Sequence, residues 1–362
     1  MGTQILNSRR QDIKQLVSIF LGLFLLQTLS AQEVSRVEIN LGKRGAKIPS
    51  SLYGVFFEEI SGSGDGGLYA EMVRNRGFED GVLPTGCTLD ADGFAAAPHK
   101  HCYSNDSINR FRVPWSPDRF MTGWRTQYAD GSQAASTITD EFPLNSATPH
   151  SLRLDLKSAY REVSAVNTGY WGMAVEAGKN YNLEFYVRAE ETPGCRVAII
   201  TSSGRTVAQK EIKLTADGQW HRYTATFTPS VTGDDCSLNL IFPPKGQIWL
   251  DYVSLFPQDT FKGRPNGLRK DVATAIEQMH PAFIRWPGGC IVEGLTLENR
   301  VKWKETIGDP VKRPGEYNLW GYRSTYGFGY HEFLQYCEDI HSDAMFVCNA
   351  GMACLFRNGD YV

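Results

Sequence analysis

Residues 283–293 read Phe-Ile-Arg-Trp-Pro-Gly-Gly-Cys-Ile-Val-Glu, which is an apolar run, then a polar and aromatic tip, then a glycine turn. Strands of parallel α/β barrels present side chains to a binding face in this manner. Gly288 and Gly289 permit positive φ angles and a close approach of the backbone. A tight turn after a buried strand would use the same residue types, so the rest of the sequence has to separate the two interpretations.

Two further apolar segments end in polar residues in the same way. Residues 53–58 lead to Glu58 and Glu59, and residues 344–349 end at Asn349. Helical spacing accompanies the three segments at 68–76, 268–279 and 330–341. This alternation predicts a (β/α)8 (TIM) barrel. Because a complete barrel takes ~250 residues, we expect only an incomplete N-terminal part of one.

The sequence changes character between residues 81 and 257. Segments there are short, alternate apolar with polar residues and are rich in β-branched and aromatic side chains, as at 151–156, 181–187 and 248–253. Such spacing, with polar turns between the segments, predicts an antiparallel β-sandwich of the jelly-roll type. The predicted fold class is therefore α/β plus all-β, a barrel interrupted by a sandwich.

The first residues have the pattern of a secretory signal peptide. Arg9, Arg10 and Lys14 precede an apolar run over 16–29, and Ala31 is a small residue at the expected cut. At about fourteen residues, the run is shorter than the ~20 residues that span a bilayer as a helix. We therefore expect cleavage after residues 1–31 and an exported protein, periplasmic or extracellular, with no membrane attachment once cleaved.

The predicted domain organisation follows in chain order after the signal peptide. Residues 32–80 hold an N-terminal strand, at 34–40, and the first βα unit. Residues 81–257 form the inserted sandwich. Residues 258–362 hold the second and third barrel strands with their helices, and the barrel is expected to be truncated there.

Composition excludes some classes of partner. The chain has 362 residues, of which 42% are hydrophobic and 21% charged, and a net charge of -3 gives no indication of nucleic acid as a partner. The eight cysteines show no metal-binding C-x-x-C pairs, so we expect neither a metal nor a cofactor. In an exported protein Cys195 could pair with Cys236, and Cys87 with Cys102, but spacing alone fixes no connectivity.

Polar and aromatic groups collect at the predicted strand ends. Glu58 ends the first strand, Arg285 and Trp286 end the second, Asn349 ends the third, and the loop after the second strand adds Trp320. Carboxylates, an amide and indole faces supply acceptors, donors and stacking surface that suit a polyol. The sequence contains no G-x-S-x-G motif for a serine nucleophile.

Two long motifs carry a resemblance to a known family. Residues 53–60 read Tyr-Gly-Val-Phe-Phe-Glu-Glu-Ile and are followed at 66–79 by Gly-Gly-Leu-Tyr-Ala-Glu-Met-Val-Arg-Asn-Arg-Gly-Phe-Glu; residues 285–294 read Arg-Trp-Pro-Gly-Gly-Cys-Ile-Val-Glu-Gly. Over roughly residues 34 to 362, the sequence resembles glycoside hydrolase family 51, the α-L-arabinofuranosidases. Shorter matches follow in order at Trp303, Ile307, Gly308, Arg313, Pro314, Trp320 and Asn349-Ala-Gly. The inserted module is similar to carbohydrate-binding jelly rolls found at this place in some members.

The resemblance implies a retaining glycosidase that releases terminal α-L-arabinofuranosyl residues from plant hemicellulose or pectin. In retaining hydrolysis one glutamate attacks the anomeric carbon, while a second protonates the leaving oxygen and then activates water. The family carries both glutamates on later barrel strands. We therefore expect no catalytic residue within this chain and no activity of the chain alone.

The resemblance also implies substrate contacts. Glu58 matches the first-strand glutamate that holds sugar hydroxyls, and Trp320 matches an aromatic residue that lines the cleft. Position 290 is Asn in some members and binds the sugar there, whereas Cys290 is a weaker hydrogen-bonding partner. Asn349 is expected at a strand tip, where it orients its neighbours. The implied partner is an arabinose-containing polysaccharide or oligosaccharide, and the sequence leaves the oligomeric state open.

Several of these residues also have a purely structural interpretation. Glu58 would form an ion pair with an arginine, Trp320 would pack in the core, and Asn349 would satisfy loop backbone groups. In the sandwich, Tyr170 and Trp171 would either stack on a sugar or be buried.

Two alternative functions also remain. One is a non-catalytic carbohydrate-binding protein that depends on residues 81–257. The other is a different barrel glycosidase, such as an endoglucanase, because a fold does not fix a function.

Overall fold

The computed structural model describes residues 36–97, 111–128, 135–157 and 159–354. The predicted signal peptide and Cys102 lie outside these residues. The chain divides into two units, residues 1–49 and 50–362. Within the described ranges, no helix has the length and apolar character needed to cross a membrane.

The predicted N-terminal strand is not formed over its described part. Residues 36–40 lack strand geometry, and Val37 and Ile39 are both exposed. Alternating residues form a strand only where a neighbour supplies backbone hydrogen bonds, and no described strand pairs with 36–40. The prediction for 34–40 is therefore wrong for the residues that the structure describes.

Strands make up most of the regular structure. In chain order they are β1 (Val55–Phe56), β2 (Thr88–Leu89), β3 (Phe94–Ala96), β4 (Arg112–Pro114), β5 (Trp124–Tyr128), β6 (Ala135–Thr139), β7 (Ser151–Asp155), β8 (Val163–Asn167), β9 (Met173–Val175), β10 (Tyr181–Glu190), β11 (Gly194–Ile200), β12 (Thr206–Lys213), β13 (Asp217–Phe227), β14 (Gly233–Phe242), β15 (Gln247–Pro257), β16 (Phe283–Trp286), β17 (Glu316–Tyr317), β18 (Arg323–Ser324) and β19 (Asp343–Phe346). The α-helices are α1 (Lys270–Glu277), the single turn α2 (Cys290–Glu293) and α3 (Tyr330–Asp339). Turns of 3-10 helix lie at Ile60–Gly62, Pro117–Met121, Phe261–Gly263, Trp303–Thr306 and Pro310–Lys312.

Two antiparallel sheets form the middle of the chain. Their strand orders are β13-β10-β15-β7-β6 and β12-β11-β14-β8-β5, with β9 paired to β14. Alternate residues of the long strand β10, among them Leu183, Phe185 and Val187, are buried between the sheets. They share one core with Val197 and Leu240 of the other sheet. The predicted antiparallel β-sandwich is confirmed.

The sandwich begins later than residue 81. Strands β2, β3 and β4 form a separate small sheet. Beside it, Ala97 and Phe111 pack with Leu295, Tyr317 and Leu319, which lie after β16 in the chain. This segment therefore belongs with the loops of the α/β part, and the first strand of the sandwich is β5.

The cysteines considered for pairing are thiols in the described structure. Cys195 on β11 and Cys236 on β14 are buried in the sandwich core without a disulfide. Burial raises the pKa of the Cys195 thiol to about 12, so it packs as a small apolar group. Cys87 is also a free thiol, and its candidate partner lies outside the described residues.

The α/β part contains a parallel sheet of β1, β16 and β19, with β16 in the centre. Val55 pairs with Ile284, and Phe283 pairs with Asp343. Helices α1 and α3 precede β16 and β19, and their buried residues Ala273 and Phe333 share a core with Ile284. The three predicted βα-type strands are thus parallel neighbours, as a barrel requires, while the closed barrel remains a prediction.

The helix predicted at 68–76 is not formed. Residues 74–77 form a turn, with Asn75 at φ 53°, and the residues before it lie between two partners. Ala70 N donates to Gly267 O at 3.2 Å, and Met72 N donates to Leu255 O at 3.0 Å. Its helix-like spacing has another origin, because Leu68 packs in the α/β core and Val73 in the sandwich core. The segment therefore fastens the two parts of the chain together.

Candidate functional site

Glu58 lies just after β1, where the chain leaves the parallel sheet. Its Oε1 atom accepts a hydrogen bond from the backbone N–H of Ile291, in α2, at 3.0 Å. Gly288, at φ 147°, makes this approach possible, since a Cβ there would collide with the Glu58 side chain. Among the described hydrogen bonds none uses Oε2 of this half-buried residue, so that oxygen can accept from a ligand.

The next residue, Glu59, has a structural role. It is buried, and its Oε1 accepts from the backbone N–H of Asp65 at 3.1 Å. Burial, and then the nearby Asp65 carboxylate, raise the pKa of Glu59 well above its ordinary value. Tyr322 closes the same loop, because its hydroxyl donates to Glu59 O and accepts from Gly62 N.

Trp286 does not face the site, contrary to its predicted place at a binding face. Only 5% of its surface is exposed, and its ring stacks on Phe333 with centroids 5.1 Å apart. Successive side chains of a strand point to opposite faces, so Trp286 enters the core while Arg285 faces the other way. There the Arg285 guanidinium lies 4.5 Å from the Phe56 ring centroid.

Cys290 is the first residue of α2 and is exposed. Its sulfur, a carboxylate oxygen of Glu293 and the sulfur of Cys354 all lie within 4.8 Å of one another. Two thiolates and a carboxylate are ligand types that zinc accepts, and three protein ligands are the number found in open zinc sites. This cluster cannot be recognised from the sequence, because Cys354 lies far from the other two residues along the chain and no short motif links them.

All the hydrogen bonds of the Asn349 side-chain amide are to backbone groups. Its Nδ2 donates to Val292 O at 2.9 Å and to Met352 O at 2.7 Å, and its Oδ1 accepts from the N–H groups of Gly351 and Met352. An amide has two donors and two acceptor positions, so none is left for a sugar. Asn349 therefore positions α2, in accord with its structural interpretation.

Trp320 lies in a neighbouring cluster rather than on α2 itself. Its half-buried ring packs against a group of buried residues that includes Leu295, Tyr317 and Cys354. Cys354 is tied to the end of α2 by a hydrogen bond from its N–H to Gly294 O at 3.1 Å. The structure thus gathers Glu58, Cys290 and Asn349 around α2 and places Trp320 one contact further out.

Comparison with known proteins was consistent with this arrangement. A family model described as an α-L-arabinofuranosidase 1 domain matches residues 275–360, and a carbohydrate-binding domain model matches residues 70–246. An extracellular exo-α-L-arabinofuranosidase of Streptomyces chartreusis is 34% identical over 88% of this chain and 35% of its own length. α-L-Arabinofuranosidase 1 of Arabidopsis thaliana is 33% identical over 91% of this chain and 45% of its own length.

A solved structure agrees with these relatives. An arabinose-bound family 51 α-L-arabinofuranosidase superposes with a TM-score of 0.71 at 29% identity, covering 87% of this chain and 46% of that one. The predicted resemblance to the family 51 α-L-arabinofuranosidases is confirmed. The chain spans less than half the length of these relatives. Cys290, Trp320 and Asn349 lie within the part that matches the arabinofuranosidase domain model, and Glu58 precedes that part.

Proposed function

We propose that this chain supplies the substrate-binding front of an α-L-arabinofuranosidase that releases terminal α-L-arabinofuranosyl residues from plant hemicellulose or pectin. The observation that carries the proposal is the carboxylate of Glu58, oriented by Ile291 N and left with a free oxygen at the end of β1. A carboxylate held in this way forms strong, charge-assisted hydrogen bonds with sugar hydroxyls. The similarity to arabinofuranosidases supports arabinofuranose as the sugar.

The residues around α2 bind and position rather than react. Glu58 accepts from hydroxyls of the arabinofuranosyl ring, and the exposed Cys290 thiol adds a weak polar contact beside it. Asn349 holds α2 in place, and Trp320 forms an outer wall of the cleft. The proposed chemistry is retaining hydrolysis by two glutamates ~5–5.5 Å apart, carried by barrel strands that follow β19 in the family's order.

Export is part of the proposal. The basic and apolar pattern over residues 1–31 supports cleavage by a secretory route to the periplasm or the exterior. The Streptomyces relative is itself described as extracellular. An arabinose-bearing plant polysaccharide is met outside the cell, so location and substrate agree.

Hydrolysis of 4-nitrophenyl α-L-arabinofuranoside tests the reaction. A version of the protein that carries all eight barrel strands is expected to release nitrophenol, and the 362-residue chain is expected to release none. Hydrolysis by the 362-residue chain would show that the catalytic groups lie within it. Activity of the longer protein on a β-glucan, without activity on arabinofuranosides, would instead favour an endoglucanase.

The match of residues 70–246 to a carbohydrate-binding domain favours a second candidate, a binding protein without hydrolysis. Affinity electrophoresis in arabinoxylan, combined with the hydrolysis assay on the longer protein, separates the two. Retardation in the gel with no release of arabinose by either form would support the binding protein and exclude the enzyme.

A further inference from the structure

A groove of about 850 Å³ lies between the edge of the sandwich and helix α1. One wall is formed by residues 170–174, 176, 179–181 and 257, and the other by residues of α1 and its N-terminal approach, from 269 to 278. Glu58, Cys290, Asn349 and Trp320, which together are called the α2 site, do not line this groove. A concave space of this size, at the junction of two structural parts, is a common place for a ligand.

Trp171 presents its indole ring at this groove. It is 73% exposed, which is unusual for so large an apolar side chain. It lies in the turn between β8 and β9, where Gly169 and Gly172 have φ angles of 67° and 93°, a conformation that side chains disfavour. Hydrogen bonds from Gly172 N to Thr168 O and from Gly169 N to Asn167 Oδ1 fix the turn.

Neighbouring groups hold the ring of Trp171. The half-buried Tyr170 ring lies beside it, with centroids 5.9 Å apart. The edge of the indole rests on the loop that follows Glu58, since a Cβ on Gly62 would lie 3.0 Å from its Cη2 atom. An exposed aromatic face fixed in this way is ready to stack on the apolar face of a sugar ring without first losing conformational freedom.

Charges in the groove favour a neutral ligand. Lys179 and Lys270 both pair with Asp259, at 3.5 and 2.9 Å, and Arg269 pairs with Asp271 at 2.6 Å. Apart from Glu71, which is buried and paired with Arg76, the lining contains four carboxylates and three cations, so a polyanion would meet no surplus of positive charge. Paired carboxylates and ammonium groups can still accept from and donate to hydroxyls.

We propose that this groove binds the main chain of a neutral polysaccharide, with Trp171 stacking on one sugar ring and the Lys179–Asp259 pair bonding its hydroxyls. The site is separate from the α2 site and does not depend on hydrolysis or on arabinose. Because Trp171 touches the loop that follows Glu58, a chain held in the groove passes beside the α2 site. The groove thereby keeps the polysaccharide close to the place where a side branch would be bound.

Affinity electrophoresis of the 362-residue chain tests the groove, with arabinose-free xylan and polygalacturonate as probes. The chain should be retarded by xylan and not by polygalacturonate. Trp171→Ala should weaken xylan binding roughly tenfold, the order expected for loss of one aromatic platform, and Trp171→Phe should retain most of it. Tyr160→Ala is the matched control: Tyr160 is 87% exposed and precedes β8, whereas Trp171 follows it.

Three results would overturn the groove proposal: equal retardation of Trp171→Ala and the wild type, stronger binding of polygalacturonate than of xylan, or binding that requires arabinose. Matching unfolding midpoints for the alanine variants and the wild type verify that the folds are intact. Glu58→Gln should leave xylan binding unchanged. The proposed arabinofuranosidase activity could therefore be disproved while the groove proposal holds. The groove proposal could equally be disproved while the proposed activity holds.

Discussion

Glu71 and Arg76 form an almost fully buried ion pair, with 3.5 Å between Oε2 and Nη1, where the segment that follows β1 meets the sandwich. The carboxylate also accepts from Ser254 Oγ at 2.6 Å and from Leu255 N at 2.9 Å, both on β15. The guanidinium lies 5.0 Å from the ring centroid of Tyr252. The pair therefore joins the sandwich to the α/β part.

Removing the cation alone should be costly. Arg76→Met leaves the buried Glu71 carboxylate without a compensating positive charge, so we expect the free energy of unfolding to fall by about 3–5 kcal/mol. Urea unfolding followed by tryptophan fluorescence measures the change. The double variant Glu71→Gln/Arg76→Met should lose less than Arg76→Met alone, because no buried charge remains. An Arg76→Met variant as stable as the wild type would contradict this role.

Glu58→Gln should separate folding from sugar binding. Glutamine keeps an oxygen that accepts from Ile291 N, so we expect stability to change by less than about 1 kcal/mol. In a version of the protein that carries all eight barrel strands, loss of the charged acceptor should lower kcat/KM for an arabinofuranoside by roughly 10- to 100-fold. Glu305→Gln, which changes an exposed carboxylate on the 303–306 turn, serves as the control. Equal kcat/KM values for both variants and the wild type would show that Glu58 does not bind the sugar.

Asn349→Asp should loosen the loop around α2. The substitution keeps the shape but removes both donors and sets carboxylate oxygen against the carbonyls of Val292 and Met352. We expect a local loss of about 1–3 kcal/mol. Hydrogen exchange in a peptide that covers 349–354 should become faster, while peptides from the sandwich are unchanged. Unaltered exchange together with weaker sugar binding would mean that Asn349 contacts the ligand after all.

Asp80 should make stability depend on pH. Burial raises its pKa to about 7, although Arg323 and Arg74 act in the opposite direction. Between the ordinary value of 3.8 and about 7 the folded state binds the proton more tightly than the unfolded chain, so this group's contribution to stability falls as pH rises. Relative to the wild type, Asp80→Asn should gain stability from about pH 4 to pH 7 and then show a constant difference. Urea unfolding at a series of pH values tests this, and a difference that does not vary with pH would contradict it.

The sequence identified those features that depend on local pattern. The strands over 282–286 and 344–349 are predicted from apolar runs that end in polar residues, and the strands of the sandwich from the alternation of apolar and polar residues. The structure has the two barrel-type strands at Phe283–Trp286 and Asp343–Phe346. The helix predicted at 68–76 is wrong because Leu68 and Val73 pack in two different cores, whereas one face of a helix would place both in the same core. Tertiary packing overrode the local spacing there.

At the site, the residues could be predicted from the sequence, but their hydrogen-bond partners could not. An amide at a strand tip is compatible with ligand binding or with loop support, and only the four backbone contacts of Asn349 decide for support. Trp286 was misplaced because a strand end gives no indication of which side chain in an alternating pair faces inward. The proximity of Cys290 to Cys354 could not be predicted, since it depends on how the chain after β19 returns to α2.

The insertion of the sandwich after β1 sets an order of events during biosynthesis. Glu58 and Ile291 are 233 residues apart, so at ~5–20 residues per second the ribosome takes roughly 10–50 s to supply the partner of Glu58 after Glu58 itself is made. The sandwich has its own core and can complete it within that interval, so that β15 can bond to the segment 68–76 before β16 emerges. Meanwhile β1 remains an unpaired edge, and its length of only two residues leaves little for another nascent chain to join.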